Sequence, residues 1–211
     1  MSNCKSCGAA LGSALVCEAC GALQRAEAPL DPWAVLGLPV GFALDAGALR
    51  KRLLALQRRM HPDFFGGADA ELRALAERNT AELNAAERLL SDDVRRADLL
   101  VKRLEGPDEQ KERQMPPAFL AEVLEWNEVL EEARAAPPGV RARAVLDGLE
   151  QGLRSERGAA LAHIAAQLVP LPAPRAAALG EVRRELNAVR YLDRTLATLS
   201  ELRLEQARST R

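Results

Sequence analysis

Apolar residues recur at intervals of three and four between Asp31 and Leu104, and again between Pro117 and Gln206, the spacing that gathers one face of an α-helix. Asp31 ahead of Pro32 and Trp33 predicts a short capped helix with proline at its first position, stopped by Gly37 and Pro39. Asp45 can cap the next helix, on which Leu49, Leu53, Leu56 and Met60 form a buried stripe and which ends at His61-Pro62. A longer helix from about Ala68 to Leu90 buries Leu72, Leu75, Leu83, Ala86 and Leu90; Ser91 or Asp92 then caps a fourth that runs to Leu104. Residues 29–105 are therefore expected to be one unit of packed helices. Gly106-Pro107, a hydrophilic run to Gln114 and Pro116-Pro117 deny residues 106–116 both helix and core, which marks a linker. Residues 117–211 read as three helices, Pro117 to Ala135, Gly139 to Val169 and Ala173 to Gln206, split by Pro137-Pro138-Gly139 and Pro170-Leu171-Pro172. Connections this short favour antiparallel neighbours in a bundle. Residues 1–28 lack the pattern, having too few large apolar side chains for a core, and no internal repeat stands out.

Composition agrees with an all-α chain: hydrophobic residues make up 48% and charged residues 28%, but aromatics only 3%. With 29 basic and 30 acidic side chains the net charge is -1, which gives no general attraction for nucleic acid or an anionic membrane. No stretch approaches the roughly 18 apolar residues of a membrane span, and neither a secretory nor an Arg-rich transit segment is visible. A bacterial cytosol is the expected location.

The four cysteines arrive as Cys4-x-x-Cys7-Gly8 and Cys17-x-x-Cys20-Gly21. Each pair suits a metal knuckle, in which a tight turn points two thiolates at one ion. Four thiolates close a tetrahedral structural site, so zinc fits best, and metal binding worth roughly 10 to 16 kcal/mol can fold a segment that has no core. Iron uses the same ligands and stays open; two disulfides conflict with a reducing cytosol. A closed ligand set leaves no position for a catalytic water, and the other histidine outside the His61 turn, His163, reads as a packing residue among Ala and Ile.

His61-Pro62-Asp63 follows a helix carrying Lys51, Arg52, Arg58 and Arg59, expected to crowd one side opposite the buried stripe. An imidazole and a carboxylate on a proline-stiffened turn, with no nucleophile nearby, point to docking rather than chemistry. On the first helix of the last zone, Phe119, Val123, Trp126, Leu130 and Ala133 share the core side at about 100° per residue. Leu120 and Leu124 fall off that side beside Ala121, Glu125, Glu128 and Glu132, and Tyr191 is expected to project outward among arginines on the last helix. Such residues make a binding patch; the other reading is that the two leucines pack between domains.

The segment Asp31 to Leu104 resembles a J domain, with Leu36-Gly37-Leu38-Pro39, the basic helix, His61-Pro62-Asp63 and Leu83-Asn84-Ala85-Ala86 in family order. Phe119-Leu120 with Leu124-Glu125-x-x-Glu128-x-x-x-Glu132, and Val189-Arg190-Tyr191-Leu192-Asp193, resemble the C-terminal three-helix domain of the HscB co-chaperones. The resemblance implies a protein that is not an enzyme. It would activate the ATPase of a DnaK/HscA-type chaperone through His61, Pro62, Asp63, Lys51, Arg52, Arg58 and Arg59, and carry an IscU-type iron-sulfur scaffold through Leu120, Ala121, Leu124, Glu125, Glu128, Glu132 and Tyr191. Three positions depart from the family: Ala121 stands for a larger apolar residue, Tyr191 for Phe, and Phe64 where many members have Lys. The tetracysteine segment is likewise absent from enterobacterial members, whereas animal mitochondrial ones carry a comparable one. The competing reading is a zinc-ribbon adaptor with a J-like scaffold that serves a different client or regulator.

Overall fold

The computed structural model describes residues 3–25, 29–65, 67, 69–135 and 139–209. Seven α-helices and a 3-10 turn are assigned among them, and no strand beyond two isolated bridges. The chain divides into two compact units, Met1–Arg96 and Ala97–Arg211, and the division falls inside a helix.

In the first unit, α1 (Pro32–Leu36) opens on Asp31, whose side chain accepts from the Trp33 amide, and closes on Gly37 in the left-handed region at φ 66°. The next helix, α2 (Ala46–Met60), is capped by Asp45, which accepts from the Ala48 amide at 2.6 Å. It buries Leu49, Leu56 and Met60, while Leu53 is only half-buried. The longest helix of this unit, α3 (Ala70–Leu90), starts two residues later than the apolar pattern predicts because Asp69 caps it, accepting from the Leu72 amide. Its buried face is Ala76, Asn79, Leu83, Ala86 and Leu90; Leu72 and Leu75, expected inside, are half-buried. Asp92 caps α4 (Asp93–Arg103), accepting from the amides of Val94 and Arg95 at 2.9 and 3.0 Å. Arg96 is buried, donating to the Phe42 carbonyl at 2.8 Å with its guanidinium over the Phe42 ring, and so fixes the loop that leads into α2.

The second unit is built from α5 (Pro117–Ala135), α6 (Val140–Leu168) and α7 (Ala178–Ser209). Phe119, Leu130, Leu146, Leu153, Leu192 and Leu199 fill its core, with Val123 and Trp126 packed at the edge. Two of the three expected helices match within a residue at both ends. The exception is α7, which runs three residues past Gln206 and begins five residues later than Ala173, because Pro174 and the left-handed Arg175 (φ 63°) keep the chain in a turn until Ala178. Pro137 and Pro138, part of the expected break before α6, lie outside the described residues. The connector 106–116 has no helix, as expected, yet it is not loose. On α7, Arg183 donates to the Pro107 carbonyl at 3.0 Å and Asn187 donates to the carbonyls of Glu112 and Gln114, both at 2.9 Å. His163 is not a packing residue: its side chain is 72% exposed and faces Glu185 at 3.7 Å, where burial raises the Glu185 carboxyl above its ordinary range. Among the described residues no helix is long and apolar enough to cross a membrane.

Candidate functional site

α2 stops at Met60 because proline disfavours helical geometry in the residue before it; His61 sits at φ -59°, ψ 127°. Pro62–Phe65 then form one 3-10 turn, closed by the Phe64 amide donating to the His61 carbonyl at 3.0 Å. The His61 Nδ1 stands 3.3 Å from the Asp63 amide and 3.4 Å from its carboxylate Oδ2, while the two side chains are 55% and 86% exposed. Contacts of that length are weak, so both groups face solvent on a stiff backbone and are available to a partner.

The basic helix does not present four equivalent cations. Lys51 and Arg58 share a face and are exposed, but Arg52 and Arg59 lie about 100° further round, toward the cysteine segment. Arg52 donates to the Leu36 carbonyl at 2.7 Å, to the Gly12 carbonyl at 3.1 Å and to the Glu18 carboxylate at 3.0 Å. Arg59 donates to the Glu18 backbone carbonyl at 2.9 Å. The Arg52 hydrogen bond, reinforced by the charges of Arg52 and Arg59 against some desolvation, holds the Glu18 carboxyl below the ordinary carboxylate range. Gly37 is needed twice here: for its left-handed φ, and because a Cβ on it would come within 1.7 Å of the Gly12 carbonyl oxygen. The cysteine segment is further joined to the helices by Ser13, which donates to the Val35 carbonyl at 2.6 Å, and by Asn79. That buried amide donates to the carbonyls of Leu15 and Gln24 at 2.9 and 3.1 Å.

Within that segment the two knuckles are near copies. The Gly8 amide bonds to the Cys4 carbonyl and the Gly21 amide to that of Cys17, each at 2.9 Å, with the glycines at φ 76° and 77°. The bridges Asn3 to Ala10 and Val16 to Leu23 repeat in the same way, so the backbone carries the same short repeat as the Cys-x-x-Cys-Gly pattern. All four Sγ atoms lie within 4.8 Å of one another, with Cys4 to Cys20 and Cys7 to Cys17 each 3.7 Å apart. A tetrahedral ion bonded to sulfur at about 2.3 Å sets its ligands about 3.8 Å apart, whereas a disulfide needs about 2.0 Å. The cluster therefore has the dimensions of a metal site. Its electrostatics agree. The Cys7 amide, with the Ser6 amide and the thiols of Cys17 and Cys20 and against burial, draws Cys4 down to about 6. Although the Ala9 amide favours the Cys7 thiolate, the Cys20 thiol, burial, Cys17 and Cys4 push that group up to about 12. Four thiols this close ionise together only around a cation.

On α5 the residues singled out from the sequence share an exposed face: Leu120 (48%), Leu124 (66%), Ala121, Glu125, Glu128 and Glu132. Tyr191 does not project freely as expected. Its ring is half-buried, edge-on to Phe119 with centroids 5.9 Å apart, and its hydroxyl meets the Asn127 side-chain amide at 3.1 Å. The aromatic at this position closes the α5–α7 seam, and only one side of it lines an open cleft of about 630 Å³ with Arg113, Met115, Arg190 and Arg194.

Sequence reasoning missed Asn79 and Glu18. A signal for the first was present, since Asn79 falls on the apolar stripe of α3 at a position where an unpartnered amide would be costly. Glu18 carried no signal that distinguishes it from a solvated acid.

Comparison with known proteins agrees with this architecture. Residues 115–200 match the family described as the HSCB C-terminal oligomerisation domain. A co-chaperone protein HscB homolog from Cupriavidus taiwanensis is 40% identical over 131 residues, covering 60% of this chain and 70% of that protein. In two further HscB homologs, from Mannheimia succiniciproducens and Pasteurella multocida, the matched segments span 60% and 80% of those proteins. The chaperone HscB from Vibrio cholerae superposes with a TM-score of 0.66 at 25% identity, over 84% of this chain and 99% of that one. The crystal structure of human co-chaperone protein HscB gives 0.71 at 23% identity, over 97% of this chain and 98% of that one, and so shares the fold.

Proposed function

The chain belongs to the HscB co-chaperone family, and from that membership we propose that it stimulates the ATPase of a DnaK/HscA-type chaperone while its C-terminal helices deliver an IscU-type iron-sulfur scaffold. The observation that carries the reading is the His61-Pro62-Asp63 turn: an exposed imidazole and carboxylate on a 3-10 turn, at the end of a helix whose Lys51 and Arg58 face solvent. Asp63 accepts a charge-assisted hydrogen bond from a chaperone arginine, worth about 1.5 to 3 kcal/mol, which biases the partner toward its hydrolysing state. Lys51 and Arg58 supply attraction that steers the encounter. Arg59 adds to it from the edge, and Arg52 acts indirectly, by bracing the helix against Gly12 and Glu18 of the cysteine segment.

On the client side, Leu120 and Leu124 offer exposed apolar surface flanked by Glu125, Glu128 and Glu132, a patch suited to a partner with an apolar and basic face. Ala121 lies between the leucines, and Tyr191 supports the patch from the seam with Phe119. Zinc is the ion that best suits Cys4, Cys7, Cys17 and Cys20, because four thiolates and a tetrahedron satisfy it fully and leave it structural. A bacterial cytoplasm, where thiols stay reduced, is the matching compartment.

Steady-state ATP hydrolysis by purified DnaK-type and HscA-type chaperones tests the reading. Addition of the protein raises turnover several-fold, and the scaffold raises it further. Unchanged turnover with every such chaperone contradicts it.

A further inference from the structure

Among the described residues, Phe64 is the most exposed large apolar side chain, at 74%. It stands next to Asp63 on the 3-10 turn, its amide tied to the His61 carbonyl and its ring edge-on to the His61 imidazole with centroids 6.3 Å apart. The neighbouring Phe65 is half-buried, so the turn does not need a second ring in water to stay in place. The charged part of the same surface is smaller than the sequence suggests. Arg52 is held by Leu36, Gly12 and Glu18, and Arg59, though exposed, is tethered at one end to the Glu18 carbonyl, which leaves Lys51 and Arg58 as the cations with no such tether. Aromatic side chains that fill a pocket dominate binding energy where rim charges contribute little.

We propose that Phe64 is the apolar anchor with which the turn engages its chaperone, and that the chaperone surface it fits has an apolar crevice beside a compact acidic patch. The inference rests on the docking role proposed above for the turn, and the ring is continuous with that surface. It makes Phe64 a determinant of which chaperone is chosen: a partner with acidic charge but no crevice is stimulated poorly.

Titrations of chaperone ATPase stimulation at low and high salt, using the wild type, Phe64→Ser, Phe64→Leu, Arg58→Ala and Asp63→Asn, separate the contributions. Phe64→Ser raises the concentration for half-maximal stimulation about tenfold or more at both salts, and Phe64→Leu raises it less. Arg58→Ala acts mainly at low salt, where charge is least screened. Phe64→Ser melts like the wild type, because the ring it removes is already in water. If the wild type stimulates, Asp63→Asn does not, and Phe64→Ser keeps the wild-type half-maximal concentration, the anchor is refuted while the role of the turn stands. If the wild type itself fails to stimulate, the docking reading has failed first and the anchor falls with it. A change in self-association by Phe64→Ser with stimulation unaltered assigns the ring to a second copy of the chain and likewise overturns the proposal.

Discussion

Arg52 reads in the sequence as one more cation on a basic helix, but its guanidinium is shared among Leu36, Gly12 and Glu18. Arg52→Ala is therefore expected to destabilise the first unit by about 1.5 to 3 kcal/mol, the usual cost of losing part-buried bonds from a charged donor, measurable as a lowered melting temperature. Asn79→Leu keeps the apolar stripe of α3 intact yet removes the donor from Leu15 and Gln24. It should cost roughly 1 to 3 kcal/mol, with faster hydrogen exchange at the amides of residues 14–17. Glu18 gives a pH dependence of definite sign. Its carboxyl sits lower in the fold than in an open chain, so its contribution is complete at neutral pH and fades as pH falls through its depressed folded value. The melting-temperature gap between wild type and Glu18→Gln should thus be widest near neutrality and close in acid; a gap that widens in acid contradicts the assignment. These contacts were not legible beforehand, because they join backbone carbonyls to side chains distant in sequence, and a carbonyl leaves no mark in a residue pattern.

At the scale of elements, the helices were legible because their signals are local. Asp31, Asp45 and Asp92 cap where their positions suggest, and Pro62 ends α2. The two departures have local causes as well: Asp69 caps α3, and Pro174 with Arg175 hold a turn before α7. The cysteine knuckles were legible from spacing alone, but their attachment to α1, α2 and α3 was not. That attachment carries a prediction. The segment has little core of its own, so if the cysteines hold a metal, stripping it with a chelator should unfold residues 3–25 and make the chain cleavable by trypsin at Lys5 and Arg25, which are exposed but held in folded backbone. The helices α5, α6 and α7 hold their own core and should keep their circular dichroism.

At the scale of the whole molecule, the first unit carries the turn and the cysteine cluster, and the second an exposed patch on α5. Leu120→Ser with Leu124→Ser should abolish scaffold binding in a pull-down while leaving helicity and melting near normal, because both side chains already face water. A collapse of melting would assign them to packing instead. The patch was visible as surplus apolar residues on α5, whereas the half-burial of Tyr191 depended on Phe119 arriving from another helix and could not be read from α7 by itself. The central claim is that an exposed turn in this chain controls hydrolysis in another molecule. Single-turnover ATP hydrolysis by the partner chaperone, with wild type against Asp63→Asn, meets that claim most directly. Asp63→Asn should fold and melt as the wild type does and leave hydrolysis at the chaperone's basal rate; acceleration equal to that of the wild type would contradict the account.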